Sequence, residues 1–318
     1  MERDGRIVTV GLSPAWDIIC RGRDLDWGRH PEVDEQVVRP AGKALNVSHA
    51  LAWMGLDSLA AGLWGREDYD EMQTAVARLG GLIEPEMTDV AGRTRQNITV
   101  LDTLNHREMH LRCRSSLASR HSLSLLNADL SRLVRDGDTC VFAGSMPAGS
   151  LLKQTVDLVR TCHGDRIRSA VDTHGPVLHS LVEAGLPWLI APNVEELCEL
   201  LDTEIAETPT ALAEAGRTLL DRLDLVLISR GVDGAVIVTK NGAWTGHCRT
   251  QGKVLSTVGC GDYLLAGFLA GFRETADARV ALGKGLRTAT AHAWGWTESA
   301  SCSEAEEAVE IDVEPVAG

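Results

Sequence analysis

The stretch STVGCGDYLLAGFLAGF, residues 256–272, decides how this chain is read. After Asp262 the apolar residues Leu264, Leu265, Phe268, Leu269 and Phe272 recur at helical spacing, so the run predicts a buried helix. Gly259, Cys260 and Gly261 then fall at the N-terminus of that helix. Unpaired backbone N–H groups and the positive end of the helix dipole make such a place an anion site. An aspartate there is either a helix cap or a catalytic base. The rest of the sequence has to separate the two.

The chain has 318 residues, of which 44% are apolar, enough to bury a full core. Its net charge of −14 argues against a nucleic-acid surface. Half of that charge is local: residues 298–318 hold seven acidic side chains and no basic one, which predicts a solvated acidic tail. Eight cysteines are scattered with no C-x-x-C pair, the pattern of reduced thiols in a cytoplasm. MERDGRIVTVGL carries no secretory apolar stretch, and no run approaches membrane-spanning length. The expectation is a cytoplasmic protein with neither a membrane nor a nucleic-acid partner.

Short apolar runs alternate with amphipathic segments. Candidate strands are 7–12, 58–63, 139–143, 169–171, 188–191 and 225–228. Candidate helices are 44–54, 69–79, 127–135, 151–162, 177–184, 194–201 and 210–223. This alternation predicts a mostly parallel sheet flanked by helices, within one domain spanning 1–318. Two segments, 17–39 and 94–114, are strand-like and poor in helix signals; the second reads as a hairpin, 96–102 against 108–112. Both are candidate lids over a site at the C-terminal ends of the strands.

His106-Arg-Glu-Met-His110 suggests a metal site, but it lacks a Glu directly after the first His and falls in the hairpin, not on a helix. It reads as surface hairpin. No G-x-x-x-x-G-K-[ST] occurs, and no G-x-G-x-x-G follows the first strand. What remains is the opening loop together with turns at strand ends: Gly11–Asp17, Pro40–Asn46, Thr94–Asn97, Ala143–Pro147, Pro192–Glu196 and Ser229–Gly234. Singly each is an ordinary turn.

In this order they resemble the ribokinase-like (PfkB) carbohydrate kinases, in their sugar-phosphate branch of 1-phosphofructokinases, tagatose-6-phosphate kinases and minor 6-phosphofructokinases. STVGCGD resembles the branch's STVGAGD signature, and TRQN, AGSMPAG and APNVEEL resemble three further elements, over roughly residues 6–297. The resemblance implies a three-layer α/β domain with a small β-sheet lid, and ATP-dependent transfer to a sugar hydroxyl. It makes Asp262 the base and the backbone of Gly259, Cys260, Gly261 and Asp262 the anion hole. Asn193 and Glu196 would organise Mg²⁺ through water and the nucleotide phosphates, while Ser229, Gly231 and Gly234 would hold the ATP phosphates. Asp17 and Asn46 would bind sugar hydroxyls. Lys43 and Arg95 would hold the substrate's own phosphate, with Ser145 nearby, Gly42 also in the substrate site, and Arg112 and Arg114 as possible additions. Pairing of two lids into a homodimer is a further expectation.

Three departures stand out. Ala41-Gly42-Lys43-Ala44 replaces G-G-K-G, which is costly if the backbone needs positive φ at the alanines. Cys260 leaves a thiol in the anion hole, a candidate for oxidation. Tyr263 replaces a small residue after the base. A kinase of an unphosphorylated sugar or a nucleoside, and a non-catalytic sugar-phosphate sensor, are the alternative readings.

Overall fold

Uncharged runs rich in Val, Ile, Leu and Ala suit strands covered by helices on both faces. The computed structural model describes residues 5–26, 28–79, 81–105 and 107–317. Its strands are β1 (Ile7–Gly11), β2 (Ala15–Gly22), β3 (Glu35–Ala41), β4 (Ser58–Gly65), β5 (Ile83–Val90), β6 (Arg95–Asp102) and β7 (Arg107–Arg112). After them come β8 (Thr139–Ala143), β9 (Arg168–Asp172), β10 (Leu189–Ile190), β11 (Leu225–Ser229), β12 (Ala235–Thr239), β13 (Gly242–Cys248) and β14 (Ile311–Pro315). The helices are α1 (Lys43–Trp53), α2 (Tyr69–Ala77), α3 (Arg120–Leu133), α4 (Leu152–Thr161), α5 (Gly175–Glu183) and α6 (Val194–Leu201). The last five are α7 (Pro209–Arg217), α8 (Cys260–Thr275), α9 (Ala278–Ala293), α10 (Trp296–Ser299) and α11 (Cys302–Ala308).

One ten-stranded sheet runs β14-β13-β12-β11-β10-β9-β8-β1-β4-β5. It is parallel from β11 to β5 and antiparallel from β11 to β14. Alternate residues of one strand face opposite layers: Cys140 and Phe142 pack with α3 to α7, Val141 and Ala143 with α1, α8 and α9. The chain leaves β1 towards β4 on one side and returns through β8 on the other. That reversal puts a crevice at the carboxyl ends of the strands.

The lid is a separate four-stranded sheet, β3-β2-β6-β7. Both segments read as lids form it, and the expected hairpin pairs Asn97 with Arg112 through Asp102 with Arg107. His106, the first residue of the HREMH motif, lies outside the described residues. His110 sits on β7 against Thr99 and Glu108, and the hairpin reading stands on that placement.

Two expectations are corrected. The helix expected over 210–223 ends at Arg217 and gives way to turns. The acidic segment 298–318 is not a solvated extension. Ser301 caps α11 in a capping box with Glu304, Ala305 and Val309 are each 1% exposed, and β14 pairs with β13 from Trp244–Pro315 to Cys248–Ile311. The Arg287 guanidinium also donates to the Val309 carbonyl at 3.1 Å. A run of acidic side chains hides the alternation because only one face of so short a strand is buried. Deleting residues 303–318 should therefore lower Tm by about 4 °C or more, from the loss of roughly 2 kcal/mol of burial and strand pairing. An unchanged melting curve would restore the solvated-tail reading.

Candidate active site

Helix α8 begins at Gly259, whose φ of 84° is left-handed and which offers no capping side chain. The cap reading of Asp262 is not realised: its side chain accepts instead from Asn46 Nδ2, at 2.6 Å. Asn46 lies in the first turns of α1, and α1 is also uncapped, starting at Gly42 with φ 123°. The two helices thus bring two positive N-terminal ends to one carboxylate. The N–H groups of Gly259, Gly261 and Asp262 carry no hydrogen bond among the described residues, whereas Cys260 N donates to Thr257 O at 3.3 Å.

Only Gly42 of the Ala41–Ala44 turn needs positive φ; Ala41 ends β3 and Ala44 is helical. The two alanines therefore cost no backbone strain. Gly259 is likewise the one residue of its loop that needs glycine, since Gly261 has ordinary φ and open space where a Cβ would go.

Asp262 is 3% exposed. Burial and the nearby Asp172 carboxylate push its pKa up to about 7, against the opposing pull of Lys43 and the Asn46 hydrogen bond. Lys43 Nζ lies 2.8 Å from Asp172 Oδ1, and the ion pair spans the crevice from α1 to the end of β9. Asp172 is a site residue the sequence reading missed, although an aspartate closing a predicted strand was a legible signal.

On the lid, Asp17 Oδ1 accepts from Asn97 Nδ2 at 3.0 Å, and Asn97 Oδ1 is buried with no hydrogen-bond partner among the described residues. The Arg95 guanidinium donates to the carbonyls of Ser13 (3.0 Å), Pro14 (3.2 Å) and Cys113 (2.7 Å). Arg95 thus fastens the lid hairpin to the loop after β1. Burial and the neighbouring Arg112 lower its pKa, and Asp17 opposes them. Ser145 is exposed just after β8, next to Gly144, which packs on the Lys43 stem.

On the other side of the crevice Asn193 and Glu196 form a capping box on α6: Glu196 N donates to Asn193 Oδ1 at 2.8 Å and Asn193 N to Glu196 Oε2 at 2.9 Å. Glu196 Oε1 lies 3.9 Å from His174 Nδ1. Ser229 closes β11 beside Asn193, and Gly231 and Gly234 both take positive φ in the turn that follows. The sequence-predicted residues thus form two groups, one around Asp262 and the lid and one at the ends of β10 and β11. No three His, Cys, Asp or Glu among the described residues are placed to hold a metal. One water-bridged carboxylate fits magnesium, which prefers oxygen and keeps several waters.

The model of the pfkB family of carbohydrate kinases matches residues 6–293. The chain belongs to that family. It is 28% identical over 289 residues to the 1-phosphofructokinase of Bacillus subtilis, covering 91% of this chain and 92% of the relative. To the 1-phosphofructokinase of Vibrio cholerae it is 26% identical over 269 residues, 85% and 83% of the two chains. Phosphofructokinase-2 of Escherichia coli, solved with fructose-6-phosphate, superposes with a TM-score of 0.86 at 20% identity, over 96% of this chain and 98% of that one. The ribokinase-like fold expected from the sequence is the fold observed.

The expected oxidisable thiol is corrected. Burial and the Asp262 carboxylate push Cys260 up to about 11, which suppresses the reactive thiolate. At pH 8 iodoacetamide should label the Cys260 peptide about 100-fold more slowly than free cysteine, since its thiolate fraction falls by roughly that factor. Equal rates in peptide mapping would refute this.

Proposed function

We propose that this kinase transfers the γ-phosphoryl group of ATP to a hydroxyl of a phosphorylated ketohexose: fructose 1-phosphate, fructose 6-phosphate or tagatose 6-phosphate. The observation that carries it is the buried Asp262 carboxylate, poised near neutrality between two open helix N-termini. Asp262 would take the acceptor's hydroxyl proton as that oxygen bonds to the γ-phosphorus. The bond from phosphorus to the β,γ-bridging oxygen breaks, ADP leaves, and Asp262 later returns its proton to water. Charge on the moving phosphoryl group would meet the free N–H groups of Gly259, Gly261 and Asp262.

Ser229, Gly231 and Gly234 would cradle the nucleotide phosphates. Glu196, with Asn193, would hold through water the Mg²⁺ that neutralises them. Asp17 and Asn46 would accept and donate to sugar hydroxyls. The acceptor's own phosphate would lie at the start of α1 with Gly42, Lys43, Arg95, Ser145 and Arg112. Support for an anion there comes from Arg95 and Arg112, two guanidinium groups whose mutual repulsion a phosphate would relieve. The relatives named 1-phosphofructokinase support the same substrate class. A homodimer through the lids belongs to this proposal, with Val38 and Leu111 half-exposed on the edge strands β3 and β7.

The pH profile tests the base. A protonated Asp262 cannot accept the proton, so kcat/KM should rise with pH along a limb with an apparent pKa of about 7. Lys43 favours the carboxylate, so Lys43→Met should move that limb to higher pH. A limb near pH 4, or a downward move in the variant, would remove Asp262 from the role.

Arg112 is exposed and makes no ion pair among the described residues, so its loss should not disturb the lid. Arg112→Ala should raise KM for the sugar phosphate about 10-fold, one charge-assisted bond, and leave KM for ATP unchanged. Free fructose turned over as efficiently as its phosphates would favour a simple sugar kinase instead.

A further inference from the structure

The turn that delivers Gly259 to α8 is held by a side chain from a different helix. His292, near the end of α9, has Nε2 2.9 Å from the Val258 carbonyl and Nδ1 3.1 Å from Thr297 Oγ1. Its ring stacks on Tyr263, with centroids 3.7 Å apart and planes 9° from parallel. A Cβ built on Gly259 would lie 3.2 Å from His292 Nε2 and 3.8 Å from both Asn46 Nδ2 and Asp262 Oδ2, so all three line the same glycine. Tyr263 is the residue directly after Asp262.

We infer that His292 is the positioning residue that sets the Val258–Gly259 turn so that its N–H groups face the moving phosphoryl group. The inference rests on the proposed roles of Asp262 and the 259–262 backbone. Burial and the Arg39 charge lower the pKa of the imidazole, opposed by the Val258 carbonyl and Glu298, which favours the neutral ring. A neutral ring has one N–H. The Val258 carbonyl can only accept, so that proton belongs on Nε2, and Nδ1 accepts from the Thr297 hydroxyl. The stack on Tyr263 fixes the plane of the ring, and the hydrogen bond fixes the carbonyl. With the Val258 peptide so held, the following N–H of Gly259 has its direction fixed too. The link continues to the lid: Glu298, next to Thr297, lies 3.3 Å from Arg39 of β3.

Two substitutions separate this role from simple packing. His292→Asn puts an amide where Nδ1 stood, within reach of Thr297 but short of Val258. His292→Gln extends the amide nitrogen to where Nε2 stood. Both lose the stack on Tyr263, so the difference between them reads the Val258 bond. His292→Asn should lower kcat by about 10- to 100-fold with both KM values within about threefold, the cost of a misplaced catalytic group. His292→Gln should recover kcat to within about threefold of the parent. Affinity for ADP with aluminium fluoride and the sugar phosphate, a mimic of the moving group, should follow the same order. Equal kcat in the two variants would overturn the inference.

If His292→Asn does not fold, Thr297→Val carries the test. Without its hydroxyl the opposite tautomer competes, and kcat should fall at least about threefold; an unchanged kcat would overturn the inference. Asp262→Asn, assayed beside them, keeps the two readings apart. Its near-parental turnover would sink the base and anion-hole assignment itself. An inactive Asp262→Asn with an indifferent Asn/Gln pair would sink only the role of His292.

Discussion

The hydrogen bond from Asn46 to Asp262 is the contact on which the site depends. Helices α1 and α8 each start at a glycine that supplies no capping oxygen, so first-turn N–H groups such as those of Gly261 and Asp262 are left unanswered among the described residues. Two like dipole ends brought together repel, and a carboxylate between them relieves that repulsion. Burying the carboxylate has its own cost, which shows as the upward shift of Asp262. Lys43 is paired with Asp172 and so offsets only part of that cost. The outcome is a buried carboxylate held between two open helix N-termini, with the Lys43–Asp172 pair beside it.

The lid is tied to the body of the fold through buried polar bonds. Asp68, 1% exposed, accepts from the indoles of Trp16 and Trp64 through one oxygen and from Thr94 N through the other. Thus β2, β4 and the start of β6 share one buried carboxylate, and Arg95 adds three carbonyls on the other side of the same junction. These bonds hold the root of the lid, while Leu104 at its tip is 52% exposed. A sheet anchored at that end brings Asp17 and Asn97 to the crevice.

The interior strands were legible because their runs are apolar on both faces, and 139–143 matches β8 to the residue. The opening stretch predicted α8 for the same reason, since ten of its residues are buried. Less legible were α3, which begins at Arg120 behind a Ser119–Ser122 capping box, and α9, whose buried positions are mostly alanine and glycine. Small residues carry little periodic signal, yet they let α8 and α9 approach closely: a Cβ on Gly267 would meet the backbone of Gly285 at 2.8 Å. The candidate site residues were proposed from the order of the loop signatures along the chain. Asp172 and His292 were not, because their meaning lies in partners on other elements: Lys43, 129 residues away, for Asp172, and the Val258 carbonyl, 34 residues away, for His292.

The acidic C-terminal segment shows how one feature can carry opposite meanings. Charge without apolar periodicity describes a disordered tail, and residues 298–318 fit that description. The same charges suit the last strand of an open sheet. An edge presents unpaired backbone groups, and proteins blunt it with short strands, charge and proline. Strand β14 has five residues, exposes Asp312 and Glu314, and ends at Pro315, while Ile311 and Val313 turn inward to the layer of α8 and α9. The acidic character therefore protects the edge, and the two apolar residues between the charges hold the strand in place.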